Sequence, residues 1–342
     1  MKRTIYLVLC LILSMSLLSG CANYGNSEEE KLSIVTTIFP EYDWVRQIMG
    51  DRAETAELTL LLDNSVDLHS YQPTADDLVK ISNCDLFVYV GGESDDWVEK
   101  AISGSAKKDR ITVNLLDVLG SAVKEEETVE GMQAEDEEGT APDEHVWLSL
   151  NNAAVLCGYI ADKLCALDPD GKDVYTANVS SYVEKLRQLD REFEIAVGAA
   201  PIKTLLFADR FPFRYLTEDY GLSYYAAFAG CSAETEAGFD TIVFLANKAD
   251  ELRLPVVLAV EGSDGKLAQT VIDTTQEKNA RILRMDSMQS VTSEDVRNGA
   301  AYLSAMEKNL AVLKAALGVG QWRRLSAKTS RLATKEGKSY TI

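Results

Sequence analysis

The sequence predicts an α/β protein of two lobes, each a (βα)4-type unit on a parallel sheet, joined by one long helix. Three observations predict it. Eight short runs rich in β-branched and aromatic residues recur between polar turns, helical patterns alternate with them, and the runs fall into two groups of four around a sustained amphipathic stripe. Strands that alternate with helices need crossover connections, and crossovers place neighbouring strands parallel.

Residues 1–20 carry Lys2 and Arg3, then an apolar run from Ile5 to Leu18, then Ser19 and Gly20 before Cys21. The run is shorter than the roughly 20 residues that span a bilayer, so it reads as a secretion signal. Leu18-Ser19-Gly20-Cys21 resembles a bacterial lipobox, which would make Cys21 the lipidated N-terminus and 21–31 a polar tether. The first lobe is expected over 32–170, with strand runs at 33–38, 58–62, 85–90 and 111–115. Within it, 124–144 holds ten acidic residues and reads as a solvated loop. The linking helix is expected over 171–199, because Tyr175, Val179, Tyr182, Leu186, Leu189, Phe193 and Ala196 step by four and three. The second lobe follows over 200–318, with strand runs at 204–207, 222–228, 256–260 and 281–284, and a basic, mobile tail closes the chain over 319–342.

Composition narrows the function classes. With 342 residues, 46% hydrophobic, the chain can bury two cores, which excludes a fibrous or natively unfolded protein. A net charge of -20 opposes binding to a phosphate backbone, so no nucleic-acid partner is expected. No CxxC pair occurs, and Cys157 and Cys165 lie about 12 Å apart along a helix, too far to bridge; Cys84, Cys157, Cys165 and Cys231 are expected as buried free thiols. No GxSxG or HExxH segment presents a nucleophile or a protease zinc site, so an enzyme is not expected.

Only two histidines are present. His69 lies in Asp67-Leu68-His69-Ser70-Tyr71-Gln72-Pro73-Thr74 after the second strand run, and His145 in Asp143-Glu144-His145-Val146-Trp147-Leu148 after the acidic loop. In open α/β sheets, ligands bind outside the carboxyl ends of strands, where such loops sit.

These two segments, together with Ile34 to Trp44, Asp85 to Gly91, Tyr215 to Leu222, Ser232-Ala233-Glu234-Thr235-Glu236 and Met285-Asp286-Ser287, resemble the zinc- and manganese-binding lipoprotein receptors of bacterial ABC metal importers, a family that includes adhesin-like lipoproteins. The resemblance covers nearly the whole mature chain. It implies a metal cleft between the lobes, His69 and His145 as the first two ligands, and Asp286 as the acidic ligand after the last strand. Counting back from Tyr215 places Arg210 on the family's third ligand position, and a guanidinium cannot coordinate a cation. Asp209 is the substitute, with Glu261 or water as the alternatives.

The resemblance implies a lipid-anchored receptor on the outer face of the cytoplasmic membrane, a monomer that captures zinc or manganese and delivers it to an ABC permease. Imidazole suits zinc and carboxylate suits manganese, which leaves the metal open, with zinc favoured. The acidic loop would gather cations at the cleft mouth. The competing functions are a zinc-dependent hydrolase on the same histidines and a surface adhesin.

Overall fold

In the computed structural model the described residues are 31–319 except 64–65, 105–106, 134–140 and 233–235. The signal segment, Cys21, the centre of the acidic loop and the basic tail beyond 319 lie outside them. Among the described residues no helix is long and apolar enough to cross a membrane.

The first lobe runs β1 (Ser33–Thr36), α1 (Phe39–Met49), β2 (Glu57–Leu60), α2 (Ala75–Asn83), β3 (Leu86–Tyr89), α3 (Trp97–Ser103), β4 (Ile111–Asn114) and α4 (Leu115–Leu119). The pairings of its four-stranded sheet are parallel, in the order β2-β1-β3-β4. Glu41 closes the start of α1 by accepting from the Thr37 and Ile38 amides, and a Thr74/Asp77 capping box starts α2.

Two helices then bridge the halves, α5 (Leu150–Leu167) and α6 (Lys172–Gly198). The 27 residues of α6 reach about 40 Å. Its stripe behaves as the sequence predicts: Tyr175, Tyr182, Leu186, Leu189, Phe193 and Ala196 are buried, while Val179 is only half-buried.

The second lobe runs β5 (Thr204–Phe211), α7 (Arg214–Asp219), β6 (Ser223–Ala229), α8 (Phe239–Leu252), β7 (Val256–Val260), α9 (Lys266–Thr274), β8 (Arg281–Met285), α10 (Ser293–Arg297) and α11 (Tyr302–Ala316). Its parallel sheet has the order β6-β5-β7-β8, the same pattern as the first. The predicted eight strands, two sheets and long helix are therefore all present. Most strand ends differ by one or two residues, and one by four: β5 continues to Phe211 through a register shift after Phe207, so Asp209 and Arg210 sit on a bulged strand rather than in a loop.

In each sheet the strand order reverses at the central pair, so the carboxyl ends of the strands form a crevice. The last helix, α11, packs on α6 and α1 as well as on β7 and β8, joining the lobes from behind. Buried polar contacts fix the junction. Trp147 Nε1 donates to the Ser287 carbonyl at 2.8 Å, the Tyr302 hydroxyl donates to the Trp147 carbonyl at 2.6 Å, and the Tyr215 hydroxyl donates to the Asp143 carbonyl at 2.8 Å.

Candidate metal centre

His69 is carried by a single turn, Leu68–Ser70, that follows β2. Asp67 starts this turn by accepting from the His69 amide at 3.0 Å, which sets the direction of the imidazole. Ring Nδ1 is 2.8 Å from Ser94 Oγ and 3.5 Å from Glu144 Oε2. The Ser94 amide donates to Glu144 Oε1 at 2.9 Å, and a side chain at Gly92 would drive its Cβ into that same oxygen. Gly92 is therefore the residue that lets Glu144 stand behind His69.

His145 is fully buried. Asp143 Oδ1 accepts from both its amide and its Nδ1, each at 2.9 Å. A carboxylate on Nδ1 fixes the tautomer and leaves Nε2 with its lone pair free. That Nε2 points at the Nε2 of His69, 3.3 Å away. Two imidazoles on a tetrahedral zinc, at Zn–N distances of about 2.0–2.1 Å, would hold their nitrogens about 3.3 Å apart, so the present spacing fits the ion.

A third donor completes the group. Cys231, just after β6, brings its sulfur within 4.8 Å of a ring nitrogen of each histidine. Its amide donates to Glu126 Oε1 at 3.0 Å. Gly230 permits the approach, since a Cβ there would stand 2.9 Å from His145 Cε1 and 3.0 Å from the Phe211 carbonyl.

The electrostatics suit a cation. Burial, and then the neighbouring His145, push the His69 pKa down to about 3, so its imidazole is neutral. Burial also acts to lower His145, but the hydrogen bond and charge of Asp143, with Glu144 and Glu126 adding, outweigh it and the net shift is upward. Burial raises the Cys231 thiol, and the same acidic neighbours raise it further.

The remaining predicted residues bond to backbone amides. Asp209 accepts from the Arg210 amide at 2.9 Å and the Val260 amide at 3.3 Å. Glu261 accepts from the amide and hydroxyl of Ser287 and from the Gln289 amide, and so shapes the loop after β8. Asp286 accepts from the Met288 amide at 2.8 Å in the same loop. None of the three belongs to the group formed by His69, His145 and Cys231 among the described residues. Asp209 and Glu261 line, with Asp67, Arg210 and Gly230, a cavity of about 610 Å³ that adjoins the histidine pair through Asp67.

Two expectations need correction. Cys84 and Cys157 are buried thiols as predicted, but Cys165 and Cys231 are only half-buried, Cys231 because it faces the crevice. The acidic segment is also not wholly solvated: Asp143 and Glu144 are buried as partners of the histidines, and Glu126 holds Cys231. Sequence reasoning missed Cys231 because it looked for paired cysteines; its place at a strand's carboxyl end was the available signal.

The profile of the family described as "Zinc-uptake complex component A periplasmic", ZnuA, matches residues 34–316. The zinc-binding lipoprotein AdcA of Streptococcus pneumoniae is 33% identical over 300 residues, covering 87% of this chain, which spans 58% of that relative's length. The high-affinity zinc uptake system protein ZnuA of Bacillus subtilis is 29% identical over 314 residues, 88% of this chain and 94% of the relative. The Zn(II)-bound ZnuA-like domain of S. pneumoniae AdcA superposes with a TM-score of 0.66 at 31% identity, over 84% of this chain and 99% of that domain. Two like-ordered parallel sheets, two histidines meeting in the crevice and a match over most of the length agree: the chain belongs to the ZnuA family of zinc-uptake components.

Proposed function

We propose that this protein is a receptor, not an enzyme, that captures a zinc ion in the crevice and delivers it to an ABC-type importer. The observation that carries the reading is the pair of Nε2 atoms 3.3 Å apart, each held by an acidic network on its other nitrogen. Such a pair is prepared for a divalent ion before the ion arrives, and the relatives named as zinc-binding support zinc as that ion. Asp67, 4.0 Å from His69 Nε2, is paired with Arg210 rather than free to act as a general base, which favours capture over hydrolysis. In this proposal Cys21 carries the lipid anchor, the folded part works as a monomer on the outer face of the membrane, and Asp286, Asp209 or Glu261 joins the ion only if the backbone amides that hold them let go.

Competition of the purified protein against a chelator tests it. Zinc should bind tightly and manganese weakly, and His69→Ala and His145→Ala should each lose zinc affinity. Unchanged binding in both variants would overturn the reading.

A further inference from the structure

We propose that Cys231 coordinates the captured ion as a thiolate, the ligand that the second lobe contributes; this rests on the receptor reading above. Three features of the structure carry it. The sulfur lies within 4.8 Å of a ring nitrogen of His69 and of His145, and it is the one member of that group borne by the second lobe. The thiol is positioned from its own backbone: Glu126 Oε1 holds its amide at 3.0 Å, and Gly230 lets the chain press against His145. The second-lobe carboxylates nearby are turned to amides, with Asp209 on Arg210 and Val260, and Glu261 on Ser287 and Gln289.

On a tetrahedral zinc, a sulfur at about 2.3 Å and a nitrogen at about 2.0–2.1 Å stand about 3.6 Å apart. The present spacing therefore needs a shift on the order of 1 Å or less, within reach of a turn about χ1 or a slight closure of the crevice. As the S–Zn bond forms the S–H bond breaks, and the proton leaves to solvent. Two imidazoles and a thiolate make a soft donor set, which selects zinc and rejects manganese. Because the histidines belong to the first lobe and the sulfur to the second, the bound ion ties the lobes together.

Cobalt(II), which takes the same tetrahedral geometry, reports sulfur directly. With reductant present, the purified full-length protein loaded with cobalt should show a near-ultraviolet sulfur-to-cobalt charge-transfer band. The band should vanish in Cys231→Ser and persist in Cys165→Ser. Zinc affinity of Cys231→Ser should fall at least tenfold, the lower end of the ~10–100-fold loss seen even for outer-shell partners. Cobalt bound by the wild type without the band, or Cys231→Ser keeping wild-type zinc affinity, overturns the thiolate while leaving the receptor reading intact. Failure of the wild type to bind zinc or cobalt overturns both.

Discussion

Arg210 Nη2 lies 2.8 Å from Asp67 Oδ2, so a charge pair joins the bulged strand of the second lobe to the turn that carries His69 in the first. The other oxygen of Asp67 accepts from the His69 amide and stands 4.0 Å from His69 Nε2. Burial raises the Asp67 pKa, but the Arg210 guanidinium beside it and the His69 contacts hold it below the usual value. The carboxylate beside the metal position is therefore neutralised by a cation from the opposite lobe. Arg210→Gln removes that cation and leaves Asp67 free to face an incoming ion. Zinc affinity is expected to rise several-fold at low salt, and the gain should shrink as ionic strength rises. A fall in affinity would show instead that the pair acts mainly as a latch holding the crevice shut.

An ion that binds the folded chain and not the unfolded one raises stability by mass action, by about 2.7 kcal/mol when free ligand is a hundred times Kd. Thermal unfolding should thus shift upward with added zinc and return when a chelator removes it. His145→Ala should abolish the shift, since its Nε2 is half of the prepared pair. A zinc-induced shift of equal size in that variant would place the ion elsewhere.

How much of this was legible in the sequence depends on whether the cause was local. The strands and the 172–198 helix were legible because periodicity is a local property, and the helix stripe reappears as its buried face. His69 and His145 were legible because each sits in a short segment whose neighbours, Asp67 and Asp143, orient it from two residues away. Cys231 was not, because what makes it a candidate ligand is its approach to residues 86 and 162 positions earlier in the chain. The bonds of Asp209 were not legible either: a carboxylate next to Arg210 reads as a free donor until the fold brings the Val260 amide, 51 positions later, to 3.3 Å from its Oδ2.

Trp147 gives a stability test of the lobe junction. Its ring is fully buried, and its Nε1 donates to the Ser287 carbonyl at 2.8 Å across the junction. Trp147→Phe keeps an aromatic ring but leaves that carbonyl without its donor. A buried acceptor stripped of its partner costs about 1–3 kcal/mol, and the smaller ring adds a packing loss. The variant should unfold at lower urea with a similar m-value. An unchanged midpoint would mean that the carbonyl finds water when the indole is gone.

Glu41 gives the pH dependence. It is fully buried at the start of α1, and Oε2 accepts from the Thr37 amide at 2.9 Å, the Thr37 hydroxyl at 3.1 Å and the Ile38 amide at 3.2 Å, while Oε1 accepts no hydrogen bond. Burial, and then the charge of Asp95, push its pKa up to about 8 from 4.5 against the opposing effect of those hydrogen bonds. Burial likewise pushes Asp95 up to about 7. A folded-state pKa above the unfolded value means the folded protein holds the proton more tightly. The stabilisation from neutral Glu41 is thus complete below about pH 4.5 and lost as pH rises through about 8. Across that window one such group removes about 1.4 kcal/mol per pH unit. Urea midpoints should therefore be lower at pH 8.5 than at pH 5.5. Glu41→Gln cannot ionise yet keeps an oxygen for the Thr37 and Ile38 amides, so its midpoint should fall less over the same range. Parallel pH curves for the two proteins would show that Glu41 stays ionised in the fold and that the charge is accommodated by the Thr37 and Ile38 contacts alone.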